Sequence, residues 1–159
     1  MIHLLVGIPG SGKSTYAKVL KEVLNCDVIS TDTVRNEHPD WEEPAIWVEV
    51  YKRAADALKN NIDVIFDATN PTEKVRKRFI EKVSEHGVEV VMGAYFFDTP
   101  WELCTERVIR RNQMPNERYL PPEVVESYGK SVTKPELKEG FVFVKTIQFG
   151  KIVEEVYSE

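Results

Sequence analysis

At 159 residues, with 42% hydrophobic and 30% charged residues, the chain has a globular composition, which excludes a disordered one. A formal net charge of −5 argues against a protein that coats nucleic acid nonspecifically, because such binding comes from neutralising phosphates. It leaves room for an enzyme that grips one strand end through a local basic patch.

The opening segment MIHLLVG lacks a basic leader and is too short for a signal peptide or a membrane span. No later apolar run reaches bilayer length. The expectation is therefore no membrane and a cytoplasmic protein, or one in the host cytoplasm if the source is viral. Residues 2–7 read as a buried strand. GIPGSGKST (7–15) follows and matches GxxxxGK[ST]. Small residues at Pro9, Gly10, Ser11 and Gly12 let backbone N–H groups surround phosphates, and Ser14 and Thr15 open a helix predicted over 13–24. Lys13 would reach the β- and γ-phosphates of ATP or another NTP, and the Ser14 hydroxyl would ligate Mg²⁺. The bland alternative is a glycine-rich turn that binds nothing.

A second strand is predicted at 27–30, and ISTDTVRNE (29–37) continues from it. In an open parallel sheet, ligands sit outside the carboxyl ends of the strands, so Asp32 should face the same crevice as the glycine loop. It could cap a helix, hold a metal ion, or take a proton from an attacking hydroxyl. Arg35, one turn on, could position Asp32 or clamp an anionic substrate. Trp41 is open between a core plug and a stacking residue. Over 44–60, Trp47, Val48, Tyr51, Ala54, Ala55 and Leu58 form a core stripe at helical spacing.

The strand predicted at 63–69 carries Asp67 at its end, where a carboxylate beside a phosphate loop helps hold Mg²⁺, directly or through water. Thr69 could face substrate. Asn70 is expected to cap the helix over 71–86, with Pro71 at its first position. In that helix Val75, Phe79 and Val83 face the core, while Lys74, Arg76, Lys77 and Arg78 read as a solvated side. A strand at 88–97 leads to a helix at 100–112 opened by Thr99-Pro100. Trp101, Cys104 and Val108 share its inner face, and Arg107 and Arg111 project together from the flank. Such a pair suits the oxygens of a transferring phosphoryl group. A surface charge face is the alternative, and it fits Arg110 with Glu106. NQMPNERYLPP reads as a mobile lid, with Arg118 a weaker candidate; the lid spans about 107–122.

A helix at 121–133 and a strand at 141–149 complete the pattern, and Gly150 would turn the last strand into a hairpin. Cys26 and Cys104 form no CxxC, and His3, His38 and His86 have no metal-ligand spacing. Strand–helix alternation without repeats or linkers predicts one α/β domain over 1–159, a mostly parallel sheet with helices on both faces.

The ordered set GIPGSGKST, Asp32/Arg35, DATNPTEKVRKR, FFDTPWELCTERVIRRN and LPPEVVESYGKSV resembles the kinase domain of phage-type 5′-OH polynucleotide kinases, within the small P-loop kinases. The resemblance implies that Asp32 is the general base for a 5′-hydroxyl and that Arg35 contacts both that base and an acceptor phosphate. It also implies that Arg107 and Arg111 bind donor phosphates, and that the partner is the 5′-OH end of RNA or DNA. The phage pattern has one residue fewer between its acidic residue and TN, and a shorter lid. No DxDxT phosphatase segment is present. The rivals are a small-molecule kinase of the same fold and, from another class, a nucleotide-dependent switch. The pattern accommodates a homo-oligomer without requiring one.

Overall fold

β1 (Ile2–Val6) runs through the middle of a six-stranded sheet in a computed structural model that describes residues 1–159. The strand order is β2 (Asp27–Ser30), β3 (Val64–Asp67), β1, β4 (Met92–Phe97), β5 (Phe143–Gln148), β6 (Lys151–Tyr157). The first five strands are parallel, and β6 returns antiparallel to β5 through the turn at Gly150. The sheet is thus the mostly parallel α/β arrangement expected from strand–helix alternation. No helix is long and apolar enough to cross a membrane.

The period-2 geometry of the strands sorts their residues onto two faces. Leu4, Phe66, Ala94 and Val144 point into the larger core, closed by α3 (Glu43–Lys59) and α4 (Glu73–Ser84). Phe66 and Phe79 stack there with ring centroids 4.1 Å apart. Leu5, Ile65, Tyr95 and Phe143 point the other way, against α1 (Lys13–Leu24). Near-continuous apolar runs are what strands covered on both faces require. A third cluster joins Ile8 to Cys104 and Val108 on α5 (Trp101–Asn112) and Val125 on α6 (Pro122–Ser131).

Local details depart from the pattern. Residues 31–37 form a separate two-turn helix, α2 (Thr31–Glu37), capped by Ser30, whose hydroxyl accepts from the Thr33 amide. Seven residues are too few to show helical periodicity in the sequence. β4 begins at Met92, four residues later than 88, because Val88 to Val91 pair with no strand over most of that run. Asn70 is not the cap of α4; Thr72 is, accepting from the Val75 amide. Likewise Pro100, with no side-chain cap, precedes α5. Val48 is 65% exposed and leaves the core stripe.

The largest correction is Arg76, which is 1% exposed and not solvated. Its fork grips both oxygens of Glu139, Nε to Oε1 at 2.8 Å and Nη2 to Oε2 at 3.0 Å. Nη1 donates to the carbonyls of Asn70 and Thr133, and Nη2 to the Thr133 hydroxyl. All five guanidinium donors are therefore used. Arg76 ties α4 to the short helix η1 (Leu137–Glu139) and to the strand end that carries DATN. Removing one partner of a buried pair leaves the other charge uncompensated. Arg76→Met is accordingly expected to lower unfolding stability by about 3–5 kcal/mol, with Arg76→Met/Glu139→Gln recovering part of it, as read by urea denaturation.

Candidate active site

The glycine loop leaves the carboxyl end of β1, the sheet's central position, where a crevice opens because β1 and β3 send their chains in opposite directions. Two contacts lock the start of the loop to the neighbouring strand end. The Gly7 amide donates to the Thr69 carbonyl at 3.1 Å, and Asn70 Nδ2 donates to the Leu5 carbonyl at 2.8 Å. Asn70 sits buried with φ 47, so its side chain serves the loop and not α4. Thr69 reaches the crevice wall and its backbone holds Gly7.

α5 backs the loop from the other side. Gly10 has φ +84, and a Cβ there would lie 2.6 Å from the Cys104 carbonyl oxygen. Both the conformation and the close approach demand glycine. Gly10→Ala must push the loop off α5; nucleotide affinity is expected to fall about tenfold, read by calorimetric titration. Gly12, φ +96, is the N-cap of α1, whose first turn carries neither a side-chain cap nor an acidic residue. Its N-terminal amides are therefore open to an anion.

Lys13 lies buried beneath the loop with Nζ donating to the Ile8 carbonyl at 3.1 Å. Burial pushes its pKa down, and the carboxylates of Asp67 and Asp32 oppose that shift. Ser14 Oγ donates to Asp67 Oδ2 at 2.8 Å. A hydroxyl and a carboxylate side by side at a phosphate loop are the hard oxygen donors that Mg²⁺ takes, alongside phosphate oxygens and water. The chain has no group of three acidic, His or Cys residues that would cage a metal on its own, and Mg²⁺ at a phosphate site needs none.

Asp32 stands in the first turn of α2, its side chain 65% exposed. Oδ1 accepts from Arg35 Nη1 at 2.7 Å and from Arg118 Nη1 at 3.0 Å. Oδ2 accepts no hydrogen bond from the protein. Arg35 is itself held by Glu43, through Nε to Oε2 at 2.9 Å and Nη2 to Oε1 at 2.6 Å. Glu43 first and Asp32 second raise the Arg35 pKa, and the Arg35 guanidinium holds the Glu43 carboxyl below its ordinary range. Arg35 is thus fixed by two carboxylates, with two of its five N–H groups left.

Arg107 Nη1 donates to the Gly10 carbonyl at 3.0 Å, so it braces the glycine loop. The Arg111 guanidinium, half-buried on the crevice wall, makes no hydrogen bond or ion pair within the protein. Arg110 is exposed and forms no pair with Glu106. Trp41 neither fills the core nor lines the crevice; it stacks on His38 with centroids 3.6 Å apart. Residues Pro9 to Thr15, Asp32, Arg35, Asp67, Thr69, Arg107 and Arg111 all line one crevice of about 1460 Å³. Glu43 was not marked by the sequence. It opens α3 in a run of acidic and proline residues, and only the fold shows that it faces Arg35.

A phosphate loop at the central strand, with an arginine-bearing helix over it in a sheet whose parallel strands run 2-3-1-4-5, defines a P-loop kinase-like domain. The chain belongs to the AAA domain family (AAA_33), whose model matches residues 2–135. It is 28% identical over 148 residues to the bifunctional polynucleotide phosphatase/kinase of Schizosaccharomyces pombe, covering 93% of this chain and 33% of that protein. The chain therefore spans about a third of that relative's length. Kti12 from Chaetomium thermophilum, solved with ADP-AlF3, superposes with a TM-score of 0.72 at 17% identity, over 94% of this chain and 89% of that one. A sugar kinase from Janibacter sp. HTCC2649 gives 0.67 at 13% identity, over 92% and 84%. At those identities the two structures establish the fold.

Proposed function

We propose that the chain is an ATP-dependent kinase that transfers the γ-phosphoryl group to the 5′-hydroxyl end of a polynucleotide, with residues 1–159 forming the kinase domain and about 107–122 its lid. The observation that carries the reading is Asp32. Its Oδ1 is pinned by two arginines, and its Oδ2 is free on the wall of the phosphate-loop crevice. A phosphate-binding switch needs no such fixed, half-free carboxylate. The likeness to a polynucleotide phosphatase/kinase supports a nucleic-acid end as acceptor.

Asp32 Oδ2 takes the hydroxyl proton as the acceptor oxygen bonds to the γ-phosphorus. The bond from that phosphorus to the β–γ bridging oxygen breaks in line, and ADP leaves with the electron pair. Lys13 and Arg111 meet the charge on the phosphate oxygens, and Arg107 holds the loop that presents the phosphates. Mg²⁺, ligated by Ser14 and by Asp67 directly or through water, would supply further neutralisation of the β- and γ-oxygens. Arg35 keeps Asp32 in place and offers its two remaining N–H groups to an acceptor phosphate.

One feature favours a small-molecule acceptor instead. Glu43 and Glu117 line the crevice with Asp32, and carboxylate oxygens accept hydrogen bonds from the hydroxyls of a polyol. The two readings separate on ADP release with matched oligonucleotides ending in a 5′-hydroxyl or a 5′-phosphate. Release stimulated only by the hydroxyl end is expected. Equal release with both ends, or stimulation by sugars alone, would overturn the polynucleotide assignment.

A further inference from the structure

We propose that Phe149 is the stacking platform for the nucleobase of the phosphate donor, and that this end of the site selects by stacking, so that ATP and GTP serve alike. The inference rests on the phosphate-loop reading above and extends it to donor choice.

Phe149 is an unusual residue for its position. The β5–β6 register pairs Gln148 with Lys151, leaving Phe149 and Gly150 as a two-residue turn. Both have positive φ, 50 and 77, as a type I′ hairpin turn requires. Glycine suits the second position. The first position ordinarily holds Asn, Asp or Gly, and a bulky aromatic at positive φ is an outlier. Packing does not offset that cost, because Phe149 is 68% exposed and joins none of the core clusters. Strain kept at an exposed aromatic points to a task outside folding.

The topology places that task. β5 is parallel to β4 and β1, so its turn lies on the sheet edge that carries the phosphate loop. β5 is two strands from β1 on one side, and β2, which leads to Asp32, is two strands away on the other. With neighbouring strands about 4.8 Å apart, the turn lies roughly 10 Å from the loop, away from Asp32. A triphosphate seated on the loop with its γ-phosphate toward Asp32 directs its nucleoside toward Phe149.

That end of the crevice is lined by Tyr16, Val19, Phe97, Phe149 and Gly150. Val19 is itself more than half exposed although it sits on a helix that packs against the sheet. The only side-chain polar atom in the set is the Tyr16 hydroxyl, too little to tell the edge of adenine from that of guanine. An aromatic face with apolar neighbours binds any purine, because every base has a π-face to stack.

The test uses the full chain with Mg²⁺ and measures binding of ATP, GTP and inorganic tripolyphosphate, a donor without a base. The wild type is expected to bind ATP and GTP within about threefold of each other, and both more tightly than tripolyphosphate. Phe149→Asn places the residue that the turn favours, so its melting temperature should equal or exceed the wild type's. It should nonetheless lose about tenfold in affinity for both nucleotides, with tripolyphosphate unchanged and Phe149→Trp restoring nucleotide binding. Unchanged ATP affinity in Phe149→Asn would overturn the platform, as would an equal loss for tripolyphosphate. A wild type that prefers ATP over GTP more than tenfold would overturn the selection by stacking. A wild type binding tripolyphosphate as tightly as ATP would sink the platform alone. Binding of neither would sink the phosphate-loop reading and the platform with it.

Discussion

Asparagine in place of Asp32 is expected to lower kcat by about 10²–10⁴-fold, the usual contribution of a positioned general base, with little change in the KM for ATP. The substitution keeps shape and keeps an oxygen for Arg35 and Arg118, which both bind Oδ1. What it removes is the unpartnered Oδ2. Two of the neighbouring carboxylates are already engaged: Glu43 is held two-pronged by Arg35, and Asp67 accepts from Ser14. Because the Asp32 side chain is mostly exposed, the fold should not depend on it, and the melting temperature should stay within a few degrees. Transfer measured under saturating ATP, with thermal unfolding alongside, reads both. Full turnover in the variant would remove Asp32 from the mechanism.

Lys13→Met should separate activity from stability in the opposite sense. The ammonium is held in a buried position that pushes its pKa down, with a single hydrogen bond to the Ile8 carbonyl. A buried cation of that kind costs folding free energy and is retained for what it meets when phosphate arrives. Methionine has a similar length and no charge, so the variant should melt at or above the wild-type temperature. Losing a preorganised cation aimed at the transferring group should cost about 10²–10³-fold in kcat. A variant that is both less stable and nearly as active would show Lys13 to be a structural residue.

The glycine loop, the strand–helix alternation and the arginine helix were legible because each is written locally, in fixed spacing or a repeating apolar face. GIPGSGKST opens α1 at Lys13 as expected, and Arg107 and Arg111 reach the same crevice as Asp32. The misreadings share another cause. Arg76 looks solvated beside Lys74 and Lys77, and only Glu139, 63 residues away, makes its burial tolerable. Asn70 looks like a cap, and only the fold brings the Leu5 carbonyl to its amide. Glu43 carries no signal in the sequence, and Arg118 reads there as only a weaker candidate; the ion pairs that join them to Arg35 and Asp32 span 8 and 86 residues. Long-range partners leave no period in a sequence. Phe149 hid differently: as the end of an apolar run it reads as strand, and its meaning lies in a positive φ and an exposed ring.

The most direct measurement follows the fate of the γ-phosphate. The protein is incubated with γ-labelled ATP, Mg²⁺ and a mixture of 5′-OH RNA, 5′-OH DNA, nucleosides and sugars, and the products are separated. Label should appear at the 5′ end of an oligonucleotide, removable by phosphatase, and should be absent when Asn replaces Asp32. Label on a sugar or nucleoside with none on any oligonucleotide, or label released only as inorganic phosphate, would contradict a kinase of polynucleotide ends.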